Sequence, residues 1–174
     1  MVNMNAQTPD TKHDTKKLWE LIKDIKFAMF TAHHGNGHLH SRPMTTQNKK
    51  DDRGATLWFF MSRRGDPVNE LKASPEVNVS YADTGKDSYV SVSGRAQVVE
   101  DMAKKEEFWN TFVQAWFPGG VTDPDLALVA VEITHADYWN AKDNQVVQLV
   151  KMATSAVTGN PPKNMGEHGK IHLR

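Results

Sequence analysis

The sequence predicts a mainly β, α+β domain: a small antiparallel barrel with flanking helices. Three observations carry this. Strand-like segments follow one another through short turns, with no regular alternation of strand and helix, which argues against a parallel nucleotide-binding sheet. Val77-Asn78-Val79-Ser80-Tyr81 alternates strictly in polarity, as a half-buried strand does. Gly94 interrupts a long apolar-patterned run, where a barrel strand needs a bend or bulge.

The elements follow in order. Residues 1–13 are polar and read as a flexible segment. Asp14 or Thr15 can cap a helix reaching about Ile25, with Leu18, Leu21, Ile22 and Ile25 on one face. Phe27–Thr31 is a short buried strand, 33–37 a turn, and His38–Gln47 the returning strand of a hairpin. Thr56–Met61 is an apolar strand. Pro67 opens a short helix over Val68–Ala73, stopped by Ser74-Pro75. The strands Val77–Tyr81 and Tyr89–Val99 follow, then one amphipathic helix from Asp101 to Trp116, ended by Phe117-Pro118-Gly119-Gly120. Leu126–Ile133 is a buried strand running on toward Trp139, and Gln145–Thr158 a last amphipathic helix. The expected organisation is one domain over 14–160 with a tail over 161–174 that has little periodicity.

Composition narrows the function. The 174 residues carry 21 Lys plus Arg against 21 Asp plus Glu, so no overall basic field favours nucleic acid or an anionic membrane surface, and an anion site must be local. Without cysteine, disulfides, thiolate metal centres and cysteine nucleophiles are excluded. Residues 1–17 contain no apolar signal core, and no run approaches the roughly 18 apolar residues of a membrane span; the expectation is a soluble cytoplasmic protein.

Two neighbouring stretches carry polar groups where apolar ones would pack better. In the first, Arg42 offers a rigid fork of donors suited to phosphate, beside Ser41, Thr45, Thr46 and Gln47. Pro43 cannot donate to a ladder and marks an edge or bulge. In the second, Ser62-Arg63-Arg64-Gly65 ends an apolar strand just before a helix, a place where free N–H groups hold anions. Each also reads as a solvated basic surface. Trp116, at a helix end beside Pro-Gly-Gly, is placed to pack on a flat ring or a second subunit. His33, His34, His38 and His40 have no carboxylate at tight spacing, so they read as a polar hairpin turn and no metal site is expected. No GxSxG, GxGxxG or P-loop pattern occurs.

Taken together, His38-Leu39-His40-Ser41-Arg42-Pro43-Met44, Leu57-Trp58-Phe59-Phe60-Met61-Ser62, Val77–Tyr81, Tyr89–Ala96, Ala115-Trp116-Phe117-Pro118-Gly119, Tyr138-Trp139 and Gly166–Lys170 resemble the FMN-binding split-barrel proteins related to pyridoxamine 5′-phosphate oxidase, within them the general stress protein subgroup. The resemblance implies a six-stranded antiparallel Greek-key split barrel, and a homodimer holding FMN at the subunit interface. In the oxidase pattern, Arg-x-x-x-x-Lys lines the flavin. Arg42 matches the Arg, Met44 and Thr45 fall beside the ring, and the Lys position is Gln47. Ser62 matches a phosphate-contacting hydroxyl. A further Lys position is Pro67, so Arg63 and Arg64 are the cations left to supply the lost charge. The cofactor-binding residues expected are thus Ser41, Arg42, Pro43, Met44, Thr45, Gln47, Met61, Ser62, Arg63, Arg64 and Trp116. No catalytic acid or base can be named. The implied activity is an FMN-dependent, flavin reductase-like oxidoreduction with a reduced nicotinamide or small-molecule partner. The alternatives are a non-enzymatic flavin-binding stress protein, or a split barrel holding a deazaflavin or haem.

Overall fold

Period-two alternation and short turns do yield an antiparallel sheet. The computed structural model describes residues 11–140, 152, 155 and 166–172. Its elements are α1 (Thr11–Ile22), β1 (Ala28–His33), β2 (Leu39–Met44), β3 (Thr56–Ser62), α2 (Asp66–Ala73), β4 (Glu76–Asp83), β5 (Ser88–Val99), α3 (Met102–Phe108), α4 (Thr111–Trp116), β6 (Leu126–Asn140) and β7 (Glu167–His172), with a 3₁₀ turn at Gly120–Thr122. Hydrogen-bonded strands run in the order β2-β1-β4-β5-β6-β3, and β7 adds to β6. β2 and β3 end this path and are not laddered to each other, so the barrel is split between them.

The interior is filled from both halves of the path. Phe30, Val79, Val92, Leu57, Phe59, Val129 and Val131 belong to one buried cluster, closed at one end by Leu18, Trp19 and Ile22 of α1. Burying each such large side chain contributes about 1.5–3 kcal/mol. The Trp19 indole donates to the Gly54 carbonyl at 2.9 Å, which satisfies its one polar group. β3 is apolar on both faces because both are covered. Leu57, Phe59 and Met61 face the barrel, while Phe60, with Trp58 packed alongside, joins Phe108, Val113, Phe117, Leu126 and Leu128 in a second cluster.

Gly94 acts as the sequence predicts. The β5–β6 register shifts between Ser93 and Gly94: Ser93 faces His135 and Gly94 faces Ile133, leaving Thr134 as the extra residue. The Thr134 hydroxyl donates to the Ser93 carbonyl at 3.1 Å. A Cβ on Gly94 would sit 2.4 Å from the Glu132 carbonyl oxygen, so the close approach requires glycine.

Three elements differ from the sequence reading. The first helix begins at Thr11, three residues before its expected cap, so the segment outside the described residues is 1–10. The predicted helix Asp101–Trp116 is two helices, because Asn110 turns extended and caps the second, its side chain accepting from the N–H groups of Phe112 and Val113. The stretch read as an aperiodic tail supplies a seventh strand. Gly169 leaves room for the Tyr138 ring to lie over it, and the Tyr138 hydroxyl donates to Glu167 at 3.0 Å. The predicted helix Gln145–Thr158 lies almost wholly outside the described residues. Among the described residues no helix is long and apolar enough to cross a membrane.

Candidate functional site

The split between β2 and β3 opens into a cleft of about 360 Å³, within the size range of small-molecule sites. The chain after β2 borders β3 without joining its ladder in register. Gln47 N–H donates to the Trp58 carbonyl at 2.8 Å, and the Asn48 side chain accepts from Trp58 N–H at 2.8 Å while donating to the Thr56 carbonyl at 2.9 Å. Side-chain stitching therefore holds the two edges near each other while leaving the gap. Pro43, on the edge strand β2, has no N–H to bridge it.

Pro43, Met44, Thr45 and Gln47 line one wall, and Phe60, Met61, Ser62 and Pro67 the other. Phe27, Phe112, Val113, Trp116, Phe117 and Asp125 complete the lining. Trp116 is 73% exposed, and Phe27 and Phe112 are also exposed, so the cleft has an apolar lip. Thr46, between two lining residues, instead meets the Tyr81 phenol at 2.7 Å inside the barrel, where burial raises the phenol's pKa. Gln47 is fixed by its own amide donating to the Thr45 carbonyl (2.9 Å) and by Asn110 donating to its Oε1 (3.2 Å).

The anion-binding candidates are engaged within the chain. Ser62 Oγ donates to Asp125 Oδ2 at 2.8 Å, while Arg64 donates to Oδ1 from its backbone N–H at 3.0 Å and from Nε at 3.3 Å. These donors, the Arg64 N–H first and then the Ser62 hydroxyl, hold the Asp125 carboxyl below its ordinary pKa. Arg63 pairs with Glu100 at 2.6 Å. Ser41 pairs across the hairpin with Thr31 of β1, their hydroxyls 2.7 Å apart.

Arg42 points toward α2. Its guanidinium makes two parallel bonds to Glu70, each 2.8 Å, and Glu70 is buried. His34 Nδ1 lies 2.5 Å from Glu70 Oε1, and His40 Nδ1 is 4.0 Å away. The two imidazoles stack with centroids 4.2 Å apart. Arg42 first, then His34, lowers the Glu70 pKa, against the opposing effect of burial.

The structure thus gathers Pro43, Met44, Thr45, Gln47, Met61, Ser62 and Trp116 at one cleft, and places Ser41, Arg42, Arg63 and Arg64 away from its lining. Sequence reasoning missed Phe27, Phe112, Asp125 and Glu70. Asp125 reaches Ser62 because it directly precedes β6, whose first residue pairs with Ser62, a cross-strand neighbour that sequence spacing does not show. Glu70 had none, being 30 residues from His40 in the chain (70 − 40). A second depression of about 400 Å³, lined by Thr31, Asn78, Ser93 and Arg95 among others, contains none of the expected site residues.

An antiparallel barrel split at an apolar cleft defines the class, and comparison with known proteins gives the family. Residues 13–163 match the family described as pyridoxamine 5′-phosphate oxidase like, and the chain belongs to it. Protein bli-3 of Neurospora crassa is 28% identical over 169 residues, covering 91% of this chain and 79% of that protein. The structure described as a general stress protein 26 from Jannaschia sp. CCS1 superposes with a TM-score of 0.71 at 24% identity, over 92% of this chain and 99% of the other. That of the general stress FMN/FAD binding protein from Xanthomonas citri gives 0.65 at 30% identity, over 76% and 92%.

Proposed function

We propose that the cleft binds a flavin, FMN, and that the chain works as a flavin reductase-like oxidoreductase in a stress response. The observation carrying this reading is the cleft itself: an apolar slot at the barrel split, lined by Met44, Thr45, Gln47, Met61 and Ser62 and lipped by Trp116. The FMN/FAD binding protein of Xanthomonas citri supports it as a relative. The ring end fits well, since Met44, Phe112 and Trp116 offer flat or polarisable apolar surface. At the phosphate end, Ser62 in the lining and Arg64, bonded to the lining residue Asp125, are the donors this reading assigns, and a phosphate there displaces the Asp125 carboxylate from them. Arg42 reaches a phosphate only by leaving Glu70. Affinity is therefore modest.

A bound flavin supplies hydride acceptance and donation. The residues of this chain orient the ring and exclude water from one of its faces. Asp125, the carboxylate in the lining, is occupied with Ser62 and Arg64, so among the described residues no unengaged carboxyl acid or base lines the cleft. This favours direct hydride exchange with a reduced nicotinamide or another small molecule over proton-assisted chemistry. The exposed lip of Phe27, Phe112 and Trp116 supports a homodimer that buries it and completes the site.

The absorption spectrum of the purified protein tests the cofactor, and FMN-dependent oxidation of reduced nicotinamide tests the activity. Flavin bands with turnover support the whole reading. Flavin bands without turnover leave a flavin-binding stress protein. A haem band, or the absence of saturable FMN binding, overturns it.

A further inference from the structure

The stacked histidines at the β1–β2 hairpin are not used by the flavin reading. The hairpin sets their geometry. His34 N–H donates to the His38 carbonyl at 2.8 Å and Gly37 N–H to the His34 carbonyl at 2.9 Å, a tight turn that brings His34 back against His40. Their rings lie 4.2 Å apart and 16° from parallel. Both Nδ1 atoms face one carboxylate oxygen, Glu70 Oε1 on the buried side of α2, at 2.5 and 4.0 Å. His40 Nδ1 is therefore beyond hydrogen-bonding reach. The three ligand atoms lie within 4.8 Å of one another.

We propose that His34 Nδ1, His40 Nδ1 and Glu70 Oε1 form a site for a divalent transition ion of the zinc class. Two imidazoles and one carboxylate select Zn²⁺, Co²⁺, Ni²⁺ or Fe²⁺ over Ca²⁺ and Mg²⁺, which favour all-oxygen shells. Tetrahedral ligation at about 2.0–2.2 Å sets ligand atoms roughly 3.3 Å apart. The observed separations bracket that value, so side-chain shifts of about 1 Å close the site. Three protein ligands leave a fourth position for water or a small molecule.

Arg42 holds the carboxylate from behind, through 2.8 Å bonds to both oxygens. Outer partners of this kind orient metal-binding carboxylates. The guanidinium also repels a cation, so binding is moderate in strength. The histidine side chains are 30% and 40% exposed, which gives the ion a path from solvent. The chemistry balances as a tautomer choice: each neutral imidazole binds the ion through Nδ1 with its single proton on Nε2, and the Glu70 carboxylate binds ionised.

The test is calorimetric titration of the full-length, chelator-treated protein with ZnCl₂ and CoCl₂. Expected are one ion per chain at this site and at least about tenfold weaker binding in His34→Ala, His40→Ala and Glu70→Gln. His38→Ala, on the same hairpin but outside the cluster, binds as the wild type does. Zinc affinity equal to wild type in both His34→Ala and His40→Ala overturns the proposal. Should those variants not fold, cobalt titration of the wild type decides. Paramagnetic broadening that begins at His34, His40 and Glu70 supports the site, whereas broadening centred elsewhere, or none, overturns it. Neither result bears on FMN binding, which is measured separately.

Discussion

The two halves of the β2 stretch meet opposite surroundings. His40 and Arg42 point to α2, where Arg42 pairs with the buried Glu70 carboxylate and His40 Nδ1 lies 4.0 Å from it. A few residues on, Pro43, Met44, Thr45 and Gln47 border an open, largely apolar cleft in which Gln47 and Ser62 are hydrogen-bonded within the protein. The contrast teaches that one strand can hold the fold together at one end and present a binding surface at the other. What decides between them is what α2 and β3 place opposite.

The largest test of this contrast is stability. Arg42→Ala leaves Glu70 buried without its guanidinium and is expected to cost on the order of 2–3 kcal/mol in urea denaturation. Trp116→Ala, at a position exposed in the single chain, is expected to change the stability of the protomer itself by less than about 0.5 kcal/mol. Equal losses would dissolve the distinction between the two ends. The order reverses for the ligand. Trp116→Ala is expected to weaken FMN binding about tenfold in a fluorescence titration, from lost ring contact.

Asp125→Asn should tighten FMN binding several-fold, because it removes an anion from the place where the phosphate would sit and frees Ser62 and Arg64. Unchanged affinity would move the phosphate elsewhere. The smallest expected effect is in acid. The folded-state pKa of Asp125 is lowered, so its stabilisation is complete above the unfolded value of about 3.9 and fades as pH falls through the folded value. The stability of wild type relative to Asp125→Asn should therefore shrink below about pH 4, followed by thermal melts across pH.

Much of the barrel could be read from the chain because its signals are local. Alternation fixes β4, apolar runs fix β3 and β6, and Gly94 marks the bulge. The cleft walls were legible for the same reason: Pro43 and the hydroxyls of Thr45 and Ser62 are anomalies within strand-like segments. Other features rest on pairings that no local pattern encodes. The Glu70 cluster needs α2 folded back on the hairpin. β7 contributes few apolar side chains, chiefly the buried Ile171, and needs the Tyr138 ring to cover Gly169. The break between α3 and α4 lay in plain sight as Asn110, a residue that favours caps over helix interiors, inside an apolar stripe that suggested continuity.

The bulge at Gly94 also bears on how the chain finds its register. β5 and β6 pair over more than ten residues across an intervening helical excursion, so many slipped pairings compete early in folding. A side chain in place of Gly94 meets the Glu132 carbonyl, while Thr134 ties the extra residue to Ser93. One glycine and one threonine thus serve as an alignment mark. In a pairing slipped by one residue every inward side chain of β6 would turn outward, and the two edges that border the cleft would no longer arrive opposite each other.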